Sequence, residues 1–195
     1  MKKVKTGIRQ AQIKNAALRV ITQRGLEGLT ISAIAKRAGI SCGNIYRHFK
    51  DKGAVIDAIV SEISSGLGNI VDSASREERS PLECLKTIFL KHIEFLENNR
   101  GIFKFMLSDG IYSVENRAKG AVARYLSAIR RILSRGRRDG IFDRGLDVDA
   151  AARAFLGSIQ GVGLQWILYN YTFSPRKRGK KIWQIFARGI RSRSR

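Results

Sequence analysis

The chain has 195 residues, with 37 lysines and arginines against 16 aspartates and glutamates, and a formal net charge of +21. With 44% hydrophobic residues and two prolines, it suits a packed helical protein of one large or two small domains rather than a disordered one. No apolar run approaches the roughly 18–20 residues that span a bilayer. The basic start Met1-Lys2-Lys3-Val4-Lys5 precedes a polar amphipathic segment rather than a signal-peptide core. Cys42 and Cys84 sit in no ligand-like spacing, so neither a disulfide framework nor a metal site is indicated, and a cytoplasmic location is the default. Up to Val60 there are 12 basic and 3 acidic residues, and after it 25 and 13, so both parts are basic. A basic head is what phosphate contact requires.

Residues 1–7 read as a flexible basic arm, with Lys2, Lys3 and Lys5 either solvated or near DNA. A first helix is expected from about Ile8 to Arg24, burying Ile13, Ala17, Val20 and Ile21 and stopping at Gly25. The stretch Leu29–Lys52 then reads as two short helices joined by a tight turn. Thr30 is an N-cap, Ile31, Ile34, Ala35 and Ala38 share one face, Gly39 ends the helix, and Ser41 caps the next. In that second helix Ile45 and Phe49 point inward, while Cys42, Gly43, Asn44, Tyr46, Arg47 and His48 include its exposed faces. This is the helix-turn-helix pattern, whose second helix enters the major groove by its N-terminal end.

The run Ala33–Lys52, AIAKRAGISCGNIYRHFKDK, resembles the signature of the TetR/AcrR family of bacterial transcriptional repressors, down to Ile45-Tyr46-Arg47-His48-Phe49 and the Asp51-Lys52 that opens the next helix. The resemblance implies an all-α protein of about nine helices. Its N-terminal three-helix helix-turn-helix DNA-binding domain is expected over 1–52, and a C-terminal helical ligand-binding and dimerisation domain over 53–195. By the same resemblance Cys42, Gly43 and Asn44 stand where the family reads base edges. Thr30, Ser32, Ser41, Tyr46, His48 and Lys52 stand where it grips the backbone, and Arg47 can do either. Cys42 departs from the usual long polar residue there, leaving a thymine-methyl contact, weak readout or a redox role as alternatives. Gly53 replaces the family's usual glutamate, at a cost of about 1 kcal/mol of local helix preference.

Asp51 caps a fourth helix, with Val55, Ile56, Ile59, Val60, Ile63 and Leu67 as its stripe. In the family this helix transmits the switch, so Asp51 to about Val71 is the expected lever. Residues 72–79 read as a loop. Ser80-Pro81-Leu82-Glu83 opens the next helix with a capping box, whose face holds Leu85, Ile88, Phe89, His92 and Leu96. Asn98–Gly101 is expected to break it, before a short apolar piece at 102–107. A long helix follows over about 114–139, with Arg117, Arg124, Arg131 and Arg138 recurring every seven residues beside Lys119, Arg130, Arg135 and Arg137. That stripe is either a solvated face or a site for an anionic effector, DNA or lipid.

Asp147 starts a helix with two apolar sides, one holding Phe155, Ile159, Val162, Trp166 and Tyr169, the other Ala154, Gly157, Gly161 and Leu164. A last helix, about Pro175 to Ile190, offers Ile182, Ile185, Phe186 and Ile190. The resemblance assigns these two helices to a homodimer interface, with Phe155, Ile159, Val162, Trp166, Ile182, Phe186 and Ile190 as its candidates. Effector-pocket candidates are Ile63, Leu67, Phe89, His92, Phe103, Met106, Tyr125 and Trp166. Arg176, Lys177, Arg178, Lys180, Lys181, Arg188, Arg191, Arg193 and Arg195 form an acid-free end, read as solvated or as contacting DNA or anionic membrane.

Three functions fit. The first is a homodimeric repressor on an inverted-repeat operator in double-stranded DNA, released by an unknown small molecule, needing no cofactor or metal and acting at the nucleoid. The second is a protein of the same fold without a small ligand, working through a protein partner or in chromosome organisation. Asn99-Arg100-Gly101-Ile102 and Leu107-Ser108-Asp109-Gly110 faintly resemble the family's nucleoid-occlusion branch. The third is an enzyme, against which stands the absence of a nucleophile elbow or phosphate loop.

Overall fold

The computed structural model describes residues 2–76, 80–101, 105 and 115–192. Eight helices run through them: α1 (Lys2–Arg24), α2 (Ile31–Ala38), α3 (Cys42–Tyr46), α4 (Lys52–Arg76), α5 (Pro81–Asn98), α6 (Glu115–Arg138), α7 (Val148–Leu168) and α8 (Pro175–Ile190). Among the described residues the only sheet-like pairing is an isolated antiparallel bridge between Phe142 and Arg191. Arg100, Gly101 and Phe105 are helical as well, so the break after α5 shrinks to Asn99. The rest of the apolar piece expected at 102–107, and most of the two segments resembling nucleoid-occlusion factors, lie outside the described residues. The chain divides into two compact units, residues 1–64 with 99–118, and 65–98 with 119–195. The boundary expected after Lys52 marks the start of α4, and the two units divide further along that same helix.

In the first unit, α1 begins at Lys2, so residues 2–7 of the arm expected over 1–7 are helical instead. Its lysines are good helix formers and no proline intervenes; Gly7 alone weakens the run, by about 1 kcal/mol. Ile13, Ala17, Val20 and Ile21 are buried as their period requires. At the start of α4, Asp51 Oδ1 accepts the Ala54 N–H at 2.8 Å, and Val55, Ile56, Ile59, Val60 and Ile63 are buried along its length. Lys14 of α1 pairs with Glu62 of α4.

α4 runs on to Arg76, so residues 72–76 of the loop expected over 72–79 are helical, and 77–79 lie outside the described residues. Its stripe continues through buried Val71 and Ala74. The serines that made the segment look loop-like fold their hydroxyls back, Ser73 onto the Ile70 carbonyl at 3.0 Å and Ser75 onto that of Val71 at 2.8 Å. Among the described residues α4 is also the one helix long and apolar enough, by length and composition, to cross a membrane. The sequence reading missed this; the buried stripe is that of an amphipathic core helix.

The second unit packs α5, α7 and α8 together. Ser80 opens α5, accepting the Glu83 N–H at 3.3 Å and donating its hydroxyl to the Glu83 carboxylate at 3.0 Å. Phe89 of α5 meets Phe155 of α7 edge-on at 5.4 Å and Trp183 of α8 at 5.6 Å, and Phe186 lies 5.5 Å from Phe155. Four rings thus tie three helices, each pair adding about 0.5–1.5 kcal/mol beyond its buried area. After α6, Phe142 is fully buried against Gly136, where any Cβ would collide with the ring. The same turn is tied to the end of α8, since the Asp143 N–H donates to the Ile190 carbonyl at 3.0 Å. Asp147 caps α7 by accepting the N–H groups of Asp149 and Ala150, both at 3.0 Å.

Candidate nucleic-acid interface

The helix-turn-helix is held from its inner side. Thr30, extended at φ −125°, accepts the Ala33 N–H at 3.0 Å and starts α2. Ile34 and Ala35 are buried, and Gln12 of α1 donates its amide to the Ala38 carbonyl at 2.7 Å, fixing the far end of α2 to α1. Gly39 then takes φ +66°, a left-handed conformation that favours glycine, and the Ile40 N–H reaches back to the Ala35 carbonyl at 3.1 Å. Ser41 caps α3 by accepting the Asn44 N–H at 3.2 Å. Ile45 and Phe49 are buried beneath it.

The outer side carries the predicted contacts. Thr30, Ser32, Ser41, Cys42, Gly43, Tyr46, Arg47 and Lys52 are exposed, and Asn44 and His48 half-buried. The Thr30 and Ser41 oxygens accept cap bonds, which leaves each hydroxyl hydrogen able to donate to a phosphate oxygen. α3 is shorter than the sequence suggested: it ends at Tyr46, with Arg47 as its C-cap and the His48 N–H donating to the Ile45 carbonyl at 2.9 Å. Asn44 Oδ1 is turned inward and has no hydrogen-bond partner among the described residues. A bidentate adenine contact needs both carboxamide atoms at the base edge, so Asn44 must rotate to make it, and the unsatisfied acceptor lowers the cost of doing so. Two cations the sequence reading left aside, Lys36 and Arg37, are exposed in the last turn of α2. Their position beside the turn was the signal that could have found them.

Most of the described effector-pocket candidates are buried. Ile63, Phe89, His92, Tyr125 and Trp166 are buried and Leu67 is half-buried, while Phe103 and Met106 lie outside the described residues. His92 Nδ1 and the Tyr125 hydroxyl are 2.9 Å apart, a hydrogen-bonded pair in an apolar surround. Burial lowers the His92 pKa from 6.5 to about 4, and pushes that of Tyr125 up. Phe89 belongs to the four-ring cluster, and Trp166 packs edge-on against Tyr171 at 4.9 Å.

The dimer-interface candidates differ in their exposure within the single chain. Phe155, Ile159, Val162, Trp166 and Ile190 are buried inside the single chain, and Ile182 and Phe186 are half-buried. Both sides of α7 are apolar, and period alone could not tell which faces the chain's own core. The side left outward carries Ala154, Gly157, Leu164 and Leu168, the last 67% exposed, and α8 adds Ile185 at 72%.

The basic stripe of α6 is partly employed. Arg130 pairs with Asp149, which also receives Arg153 at 2.7 Å, and Arg137 donates to the Leu146 carbonyl at 3.1 Å. The hydrogen bonds from Arg153 and Arg130 hold the Asp149 carboxyl below its usual range. Arg124, Arg131 and Arg138 remain exposed; Arg117 lies outside the described side chains.

An exposed, doubly capped reading helix on a buried three-helix frame, joined to a larger helical unit, defines a DNA-binding regulator of the helix-turn-helix class. Residues 13–59 match the bacterial regulatory proteins of the tetR family, and residues 63–189 match the C-terminal region of YsiA-like proteins. The chain belongs to the TetR family of transcriptional regulators. It is 23% identical over 185 residues to the fatty acid metabolism regulator protein of Bacillus subtilis, spanning 93% of this chain and 95% of that one. It is also 23% identical over 184 residues to the nucleoid occlusion factor SlmA of Haemophilus ducreyi, spanning 91% and 90%. Among solved structures, the fatty acid degradation regulator FadR of Bacillus halodurans superposes with a TM-score of 0.81 at 25% identity, covering 94% of this chain and 97% of that one. FadR of Bacillus subtilis, solved in complex with stearoyl-CoA, superposes with a TM-score of 0.77 at 23% identity, covering 92% and 98%.

Proposed function

We propose that the protein is a homodimeric transcriptional repressor that binds an inverted-repeat operator and is released by a small molecule bound in its second helical unit. The observation that carries this reading is α4, one uninterrupted helix that starts beside the DNA-reading turn and belongs to both units. A ligand bound in the second unit can bias the reading heads only through its difference in affinity between two states, and a continuous helix is the element able to express that difference. Cys42, Gly43 and Asn44 read base edges; Thr30, Ser32, Ser41, Tyr46, His48 and Lys52 hold the backbone. The outward side of α7, with Gly157, Leu164 and Leu168, and Ile185 of α8 form the two-fold contact. The protein acts in the cytoplasm at the nucleoid and is not an enzyme.

The similarity to a FadR solved with stearoyl-CoA makes a long-chain acyl thioester the first effector to test. Purified protein is mixed with the fragment upstream of its own gene, and DNA retention is followed as stearoyl-CoA is added. Release at micromolar concentration supports the reading; retention unchanged by acyl thioesters and free fatty acids alike removes the small-molecule part. The similarity to nucleoid occlusion factors favours a second reading, in which the protein marks many chromosomal sites and answers to a protein partner.

A further inference from the structure

The cations of α8 are unevenly employed. Arg176 donates to Glu97 and to Glu94 of α5, both at 2.7 Å, and Arg178 donates to Gln165 at 3.0 Å while lying 3.7 Å over the Phe173 ring. Lys177, Lys180, Lys181 and Arg188, with Arg191 at the C-cap, are exposed and form no ion pair among the described residues. At 3.6 residues per turn these five project within about 100° of one another and form a row about 21 Å long. The row looks away from Trp183 and Ile190, which are buried. No aspartate or glutamate occurs from Ala150 to the end of the chain, so neither α7 nor α8 offers the row a counter-ion beyond the Asp149 already held by arginines.

A row of five unneutralised cations fits a polyanion. A helix that binds a lipid surface must turn an apolar face to the acyl chains. The apolar residues of α8, Trp183, Ala187 and Ile190, are committed to the chain's own core, and Ile185 is the only large one left outward. Each DNA strand carries one phosphate per about 3.4 Å of axis, so the row spans about six of them. We propose that the cation row of α8, flanking the Ile185 edge that the proposed function places in the two-fold contact, is a second DNA-backbone surface, separate from the helix-turn-helix, that adds sequence-independent affinity.

The test uses the full chain, a 30-base-pair random-sequence duplex, and fluorescence anisotropy over a range of salt. Replacing Lys177, Lys180, Lys181 and Arg188 by glutamine should lower the slope of log affinity against log salt by about three to four units. Arg124→Gln with Arg131→Gln and Arg138→Gln, on α6, removes comparable charge and should change the slope by less than about one unit. Tyr46→Ala with Arg47→Ala should keep a residual salt-dependent binding that the α8 substitutions then abolish. Circular dichroism confirms that each variant retains its helices, and Lys180→Gln with Lys181→Gln serves if the larger set does not. An unchanged slope, or equal losses from the α6 and α8 sets, overturns the proposal. So does an α8-dependent affinity for phosphatidylserine vesicles without one for duplex. Loss of all duplex binding on changing Tyr46 and Arg47, with the α8 variant at wild-type affinity, overturns it too, yet leaves the helix-turn-helix reading standing.

Discussion

His92 shows how a single side chain was legible in kind but not in consequence. Its place among Leu85, Ile88, Phe89 and Leu96 put it on an apolar face and among the effector-pocket candidates, but nothing in the sequence named Tyr125 as its partner, 33 residues on. Its lowered pKa makes a testable statement. Between about 4 and 6.5 the unfolded state binds a proton that the folded state excludes, so stability falls as pH drops through that window. The loss attributable to His92 between pH 7 and pH 5 is about 2 kcal/mol. Denaturant midpoints should therefore fall more steeply with acid for the wild type than for His92→Gln; parallel curves would show that His92 does not set the dependence. Gly136 was invisible as a packing position, because its need for a bare Cα comes from Phe142 in a later turn. Gly136→Ala should destabilise by about 1–3 kcal/mol in urea unfolding, the range for overpacking a filled core.

At the scale of elements, caps and periods carried most of the information. Thr30, Ser41, Ser80 and Asp147 each cap a helix as their sequence positions suggested. Thr30→Ala should lower thermal stability by an amount corresponding to about 1 kcal/mol, and, under the proposed function, weaken DNA binding further by removing a hydroxyl assigned to the DNA backbone. Equal loss of stability with unchanged DNA affinity would restrict Thr30 to capping. Two elements were misread for identifiable reasons. The serines after Val71 hid the last turn of α4 by satisfying their hydroxyls within the helix. α7 has two apolar sides, and only packing decided that Phe155 and Trp166 belong to the core. The end of α7 holds Asn170 at φ 49° and Tyr171 at φ 62°, a conformation side chains rarely adopt. Asn170→Gly should stabilise the chain by up to about 1 kcal/mol in thermal melts, since glycine occupies that region freely.

At the scale of the whole molecule, the family, the all-helical fold and the reading turn were all present in twenty residues, Ala33–Lys52. How the chain divides into two compact units was not, because that follows from contacts between segments distant in sequence. The net charge of +21 also reads differently once pairs are assigned: Arg130 and Arg153 share Asp149 and Arg176 is paired with Glu94 and Glu97, while exposed cations among the described residues stand on α2, α6 and α8 and around the reading turn. Replacing Leu164 and Leu168 by serine should shift the protein toward monomer in sedimentation and lower operator affinity by at least about tenfold, because a two-fold operator is gripped by two heads. The central claim is that Cys42 to Arg47 read sequence. Its most direct test is retention of genomic fragments by purified protein at moderate salt, followed by sequencing, for the wild type and for Asn44→Ala. The account predicts a limited set of inverted repeats, with half-sites about one DNA turn apart (~34–36 Å), whose base preference weakens where Asn44 points. Fragments no more enriched than random DNA would contradict it.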